Sequence, residues 1–222
     1  MKILITGSAK GIGLACAKRF LSLGHEVHGI DLLPAAIEHP NYHHYVADIR
    51  DQKSLPDIEG IELLFNNAGS QKGEEDIDTN LKGTMNVTEK YGFEPTVKAI
   101  LFNASASATT GQEFAYYAAS KSGLIGYMRN VAIRLAKQGA TANSISLGGV
   151  LTESNAPVIQ DKKAFEQIMA TTPLKKWMSE EEVADWVEFL LLKNRSMSGE
   201  DILIDNGESR LNSTFVWPGF AA

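Results

Sequence analysis

The chain carries a single cysteine, Cys16, among 222 residues. No internal disulfide can form, and a reducing, intracellular setting fits. No stretch approaches the roughly 20 apolar residues that span a bilayer. The opening residues read as a strand entering a turn rather than as an apolar leader, so a cytoplasmic protein is expected. Positive charge is in deficit: 21 Lys and Arg stand against 27 Asp and Glu, a formal net charge of -6. Such a surface repels phosphate backbones and anionic lipid, so neither nucleic acid nor a membrane is an expected partner. Internal repeats, low-complexity tracts and Pro/Gly/Ser linkers are all missing, which leaves one domain over residues 1–222. Five histidines do not add up to a metal site at this level. His43 and His44 are adjacent and point to opposite faces of a strand, and His25 and His28 have no Cys or carboxylate at ligand spacing. No metal is expected.

Short β-rich runs alternate with helical patterns along the whole chain, which is the pattern of parallel βαβ units. Apolar runs at 3–5, 27–30, 45–47, 63–65, 99–102, 142–145 and 202–204 read as seven strands buried on both faces. Helices are predicted near 12–23, 77–91, 114–137 and 180–192, and a short one near 163–169. The 180–192 helix starts on Ser179 as N-cap with Glu180, Glu181 and Glu182 in its first turn. The acidic run Glu74-Glu75-Asp76 also reads as a helix start. The irregular segment 152–176 is where a substrate loop would lie.

Between the first strand and first helix stands Thr6-Gly7-Ser8-Ala9-Lys10-Gly11-Ile12-Gly13. Glycines there permit positive φ and let backbone approach a pyrophosphate, and the helix N-terminus adds free N–H groups and a positive dipole end. Asp31 closes the second strand, where a carboxylate can accept from both ribose hydroxyls of an adenosine and repel a 2′-phosphate.

The strongest signal is Tyr117-Ala118-Ala119-Ser120-Lys121. A Tyr and a Lys four apart share one helix face. A free phenol is a poor base at neutral pH, and a neighbouring ammonium favours the phenolate. Tyr116 reads as a packing residue only. Upstream, Asn103-Ala104-Ser105-Ala106-Ser107 follows a strand end, so its hydroxyls lie at the carboxyl edge of the sheet, where open α/β folds bind ligands. Ser105 is the preferred partner of Tyr117 and Ser107 the alternative.

Taken in order, these motifs resemble the short-chain dehydrogenase/reductase family over almost the whole chain. Thr6 to Gly13 is similar to its glycine turn. Asp48-Ile49 resembles its adenine-contacting pair, and Asn66-Asn67-Ala68-Gly69 its motif near the adenine ribose. Asn80 resembles the Asn of its proton relay, and Tyr117 with Lys121 its active-site pair. Gly148, Val150 and Thr152 fall where the family binds the nicotinamide amide and phosphates, and Ser198 to Gly207 resembles its last strand.

The resemblance implies an α/β, three-layer, doubly wound Rossmann-type fold. Its sheet would have seven parallel strands in the order 3-2-1-4-5-6-7 with helices on both faces. It implies hydride exchange between a nicotinamide cofactor and an alcohol or carbonyl substrate. In that site Ser105 orients the substrate oxygen, Tyr117 exchanges the proton, Lys121 binds the nicotinamide ribose and Asn80 connects to solvent. The cofactor contacts would come from Gly7, Ser8, Lys10, Gly11, Ile12, Gly13, Asp31, Asp48, Ile49, Asn67, Ala68, Gly69, Tyr117, Lys121, Val150 and Thr152. Asp31 selects NAD as cofactor, and Lys10 is the feature that would favour NADP. A cofactor-sensing regulator on the same fold is the non-catalytic alternative; keeping both Tyr117 and Lys121 argues for the enzyme.

Three departures stand out. Ser105 lies 12 positions before Tyr117 and position 106 is Ala, one short of the family's usual spacing. Leu147 replaces the usual Pro before Gly148, which should loosen that turn. The stretches 50–60 and 70–78 are short, so the helix between strands three and four should shrink to a turn. A homodimer or homotetramer is expected. Its contacts are expected from Leu124, Ile125, Met128, Val131, Ala132 and Leu135 on one helix and Leu81, Met85 and Val87 on another. The apolar tail Phe215 to Phe220 either packs on its own core or reaches a pocket or neighbouring subunit.

Overall fold

A computed structural model describes residues 1–112 and 114–211. The tail with Phe215 and Trp217 lies outside the described residues. Seven parallel strands form one sheet in the order β3-β2-β1-β4-β5-β6-β7, as expected. They are β1 (Lys2–Thr6), β2 (Glu26–Asp31), β3 (Tyr42–Val46), β4 (Leu63–Asn66), β5 (Ala99–Asn103), β6 (Thr141–Leu147) and β7 (Asp201–Ile204). The helices are α1 (Gly11–Ser22), α2 (Thr84–Tyr91), α3 (Ser107–Thr110), α4 (Ala115–Leu135), α5 (Ala156–Gln160), α6 (Lys162–Thr171) and α7 (Glu180–Glu188). As the short loop implied, β3 and β4 are joined through only a 3₁₀ turn, Gln52–Ser54. No helix among the described residues is long and apolar enough to cross a membrane.

Alternation along each strand produces the layers. In β1, Ile3 and Ile5 face one side and Leu4 the other, and all three are fully buried. Ile3 and Ile5 join Phe20 of α1 and Val183 and Val187 of α7 in one apolar cluster. Leu4 joins Tyr91 of α2 and Met128, Val131 and Leu135 of α4 in the other. Each side chain of this size contributes about 1.5–3 kcal/mol on full burial, so the sheet is stabilised from both faces. The outer strands depart from the expectation of burial on both faces: Val46 in β3 is exposed, because an edge strand lacks a covering neighbour. Cys16 sits in the α1 cluster, where burial pushes its thiol pKa up and leaves it inert.

Several local expectations hold and others need correction. Ser179 and Glu182 form a reciprocal capping box at the start of α7. The helix predicted at 77–91 begins instead with a π turn over Ile77–Gly83 and becomes α-helical at Thr84. Tyr116 does not pack; it is exposed, and its hydroxyl donates to Glu74 Oε1 at 3.1 Å. Leu147 does not loosen its turn. It is buried at the end of β6, its carbonyl accepts from Ala106 N–H at 2.9 Å, and Gly148 N–H donates to Ile204 O at 3.0 Å. The helix residues from Leu124 to Leu135 that suggested a subunit interface are buried in the chain's own core, as is Val87.

Candidate active site

The strand order reverses between β1 and β4, and the crevice of an open α/β sheet forms at such a point. The loops after β1 and β4 meet there. Gly7 and Gly11 take φ of 68° and 58°, values that L side chains rarely adopt. A Cβ on Gly13 would fall 1.9 Å from Gly7 O, and one on Gly7 would fall 2.9 Å from Ala68 Cα. Gly13 is therefore required by the tightness of the turn itself, and Gly7 by the close passage of the two loops. Thr6 Oγ1 accepts from the N–H of Asn67 and of Ala68, each at 3.0 Å. Asn67 Nδ2 donates to the carbonyls of Thr6 and Gly7, and its Oδ1 accepts from Asn103 Nδ2. One amide thus ties together the carboxyl ends of β1, β4 and β5.

Helix α1 starts at Gly11 with no side-chain cap and no acidic residue in its first turn. Its exposed N-cap is Lys10, and Ile12 packs at the edge of the core. A helix start of this kind, beside glycines that no side chain could replace, suits a diphosphate. Ser8 is fully buried and accepts from the Tyr42 hydroxyl at 3.0 Å, so it anchors the turn from beneath. Asp31 Oδ2 accepts from Ala9 N–H and Oδ1 from Leu33 N–H, both at 2.9 Å. Its carboxylate is thereby held facing the turn. Asp48 is gripped by Arg50, whose guanidinium lowers the carboxyl pKa, and the Ile49 side chain is buried against Gly83. Across the crevice, Val150 O accepts from Thr152 N–H and from Asn155 Nδ2, and Leu151 N–H donates to Met178 O. A Cβ on Gly148 would lie 2.7 Å from Asp205 Cβ.

Tyr117 and Lys121 stand on the first turns of α4, with Lys121 Nζ 5.6 Å from the Tyr117 ring centroid. Lys121 is 4% exposed. Burial lowers its pKa to about 8, and the Asp76 carboxylate works against the shift. Its ammonium donates to Asn103 O at 2.7 Å. Ser105 and Ser107 are both buried and their hydroxyls lie 2.8 Å apart. Ser107 N–H also donates to Ser105 Oγ at 3.2 Å, so the two serines form one unit rather than rivals at separate places.

Asn80 lies in the π turn and is 1% exposed. Its Oδ1 accepts from Ser70 N–H, and its two amide protons go to Ser70 O and Ser120 Oγ. Ser120 Oγ donates to Tyr117 O at 2.7 Å, which links Asn80 to the backbone beneath Tyr117. A Cβ on Gly69 would fall 3.0 Å from Asn80 Oδ1 and 3.5 Å from Lys121 Nζ. The ribose-side motif and the proton-relay motif therefore converge on one spot. Sequence reasoning missed Ser120, Asn103 and Asp76. Ser120 stands inside the Tyr117–Lys121 spacing, and that position was the available signal. The carbonyl of Asn103 and the carboxylate of Asp76 have no sequence signature for such roles.

A family model described as Enoyl-(Acyl carrier protein) reductase matches residues 7–209. The chain belongs to the short-chain dehydrogenase/reductase family. It is an oxidoreductase of that family. A similar relative is the 3-oxoacyl-(acyl-carrier-protein) reductase MabA of Mycobacterium tuberculosis, 30% identical over 227 residues, covering 92% of this chain and 91% of the relative. A solved short-chain dehydrogenase/reductase from Burkholderia thailandensis aligns with a TM-score of 0.87 at 28% identity, covering 95% of this chain and 93% of that one. A 4-hydroxyisoleucine dehydrogenase complexed with NADH aligns with a TM-score of 0.86 at 25% identity, covering 95% and 99%. Short-chain dehydrogenase/reductase proteins use NAD or NADP, and the glycine turn with its uncapped helix fits either dinucleotide.

Proposed function

We propose that this chain is an NAD-dependent alcohol dehydrogenase or carbonyl reductase acting on a small-molecule substrate. When bound, the dinucleotide supplies or accepts the hydride. The remaining steps belong to the protein. Gly7, Gly11, Ile12 and Gly13 would hold the diphosphate, Asp31 the adenosine ribose, and Val150 and Thr152 the nicotinamide end. Asp48, Asn67, Ala68 and Gly69 would line the adenine side. Ser105, braced by Ser107, orients the substrate oxygen. Tyr117 gives or takes the proton at that oxygen, and the Lys121 ammonium favours the phenolate. Both Asn80 amide protons are engaged, so a relay water would meet its remaining Oδ1 lone pair. The observation that carries this reading is the buried Lys121 ammonium beside Tyr117 at the end of the crevice.

Asp31 decides for NAD on magnitudes. A 2′-phosphate would bring like charge to the carboxylate and forfeit charge-assisted hydrogen bonds worth about 1.5–3 kcal/mol each. An exposed contact from Lys10 returns about 1 kcal/mol or less. Initial rates over alcohols, ketones and a 3-oxoacyl thioester, with each cofactor, test the reading. At least roughly tenfold preference for NAD(H) in kcat/KM is expected, since 1.4 kcal/mol is a factor of ten. Tyr117→Phe should lower kcat by roughly 10²–10⁴-fold while NADH still binds. A variant that keeps most of its activity would overturn the mechanism, and a wild type preferring NADPH would overturn the cofactor choice.

A further inference from the structure

At the amino-terminal edge of the sheet, opposite the crevice, Glu26, His28 and His43 bring one carboxylate oxygen and two imidazole nitrogens within 4.8 Å of one another. Glu26 and His28 are two apart on β2 and share a face, and His28 pairs with His43 across β2 and β3. The carboxylate partner that spacing along the chain did not offer to His28 is thus its own strand neighbour, and the second imidazole comes from β3. We propose that these three residues form a binding site for a borderline divalent cation such as Zn²⁺.

Three observations carry this. First, both histidines aim Nε2 at the same oxygen: Glu26 Oε1 lies 2.7 Å from His28 Nε2 and 3.8 Å from His43 Nε2. Ligands around a tetrahedral ion with bonds near 2.0–2.1 Å stand about 3.3 Å apart, so these distances straddle the required value. His43 is 46% exposed at its side chain and can turn to close the difference. Second, His28 is buried and its other nitrogen is already oriented. Nδ1 lies 3.3 Å from the Tyr45 hydroxyl, and the Tyr45 ring stacks on the imidazole at 5.9 Å and 9°. Metal-bound histidines use their second nitrogen in this way. In the free protein His28 Nε2–H donates to Glu26 and Nδ1 accepts from Tyr45. With the cation bound the proton sits on Nδ1 and is donated to Tyr45 Oη, a change of tautomer with no net proton loss. Third, the donor set is two imidazoles and one carboxylate, which suits zinc and its neighbours and leaves a fourth position toward solvent on the exposed side.

Lys2 opposes binding. Its ammonium lies 3.6 Å from Glu26 Oε1, and it also donates to Glu59 O at 3.1 Å. The carbonyl gives it a place to remain when the carboxylate turns to a metal. A cation here would tie the edge strand β3 to β2, so binding should raise thermal stability without touching the crevice.

The test is isothermal titration of the full chain, free of any affinity tag, with ZnCl₂, alongside thermal unfolding with and without the metal. One Zn²⁺ per chain and a raised Tm are expected. His43→Ala and Glu26→Gln should weaken binding at least tenfold and abolish the Tm shift. His44→Ala, on the opposite face of the same strand, should change neither, and Lys2→Ala should tighten binding. Wild-type binding no stronger than roughly 100 µM, or equal affinity in His43→Ala, would overturn the proposal. Because His43 is half exposed, its variant folds whether or not the site is real.

Discussion

Lys121 is held where a charged amine is disfavoured, and the fold carries that strain for the sake of the crevice. A fall in pKa from 10.5 to about 8 on burial corresponds to roughly 3 kcal/mol against the charged form. Below pH 8 the folded chain bears the whole penalty. Above about pH 10.5 the amine is neutral both folded and unfolded, and the penalty is gone. This group therefore makes the fold more stable as pH rises from about 8 to 10.5. Lys121→Met removes the penalty and also the charge-assisted hydrogen bond to Asn103 O, worth about 1.5–3 kcal/mol. A net gain of roughly 1 kcal/mol remains, about 2–4 °C in Tm for a chain of this size. Thermal unfolding at pH 7 should place the variant above the wild type, with the gap closing by pH 10, while catalysis is lost. A variant less stable than the wild type at pH 7 would show that Lys121 is not held at a cost. The spacing of Tyr117 and Lys121 was readable along the chain, because one helix turn brings them together. The burial of the amine was not, because it comes from Asn103, Gly69 and Asp76 on other elements.

At the scale of the element, one carboxylate organises the loop and π turn between β4 and α2. Asp76 is fully buried there. It accepts from Ser70 Oγ at 2.7 Å, Lys72 N–H at 2.8 Å and Gly73 N–H at 3.1 Å. Ser70 in turn engages both ends of the Asn80 amide. One carboxylate therefore shapes a short loop and, through it, the residue expected to reach solvent. In the sequence Glu74-Glu75-Asp76 reads as a helix start, and in the structure Glu74 and Glu75 are exposed. Only the third member turns inward, and a run of like charges cannot say which one will. Asp76→Ala leaves three part-buried donors without their acceptor, and a donor that stays cut off from water costs about 1–3 kcal/mol. Urea unfolding should report a loss of roughly 2–3 kcal/mol, and Asp76→Asn, which keeps one acceptor oxygen, a smaller one. Equal stability of wild type and Asp76→Ala would remove this role.

At the scale of the molecule, the expectation of self-association keeps Met85 and otherwise rests on different residues. Of the α4 side chains, Leu124, Ile125, Met128, Val131, Ala132 and Leu135 fill this chain's own core. Apolar surface remains at Met85 and at Ile133, which is 74% exposed, at Trp186 on α7 and at Phe189 in the π turn that follows it. Groups of this size left open to water suit symmetric contacts between copies. Light scattering is expected to give two or four times 24.2 kDa, and a monomer at micromolar concentration would refute it. The order of strands and helices, the glycine turn, Asp31 and the Tyr117–Lys121 pair follow from the sequence by itself. Their signals are periodicity and spacing within a single element or a single turn, where chain geometry leaves few choices. The pairing of Ser105 with Ser107, the links from Asn80 through Ser120 to Tyr117, the inward turn of Asp76 and the meeting of Glu26, His28 and His43 belong to the tertiary structure. Each depends on which residues of separate strands and loops come to lie side by side, and that is set by sheet register and packing rather than by distance along the chain.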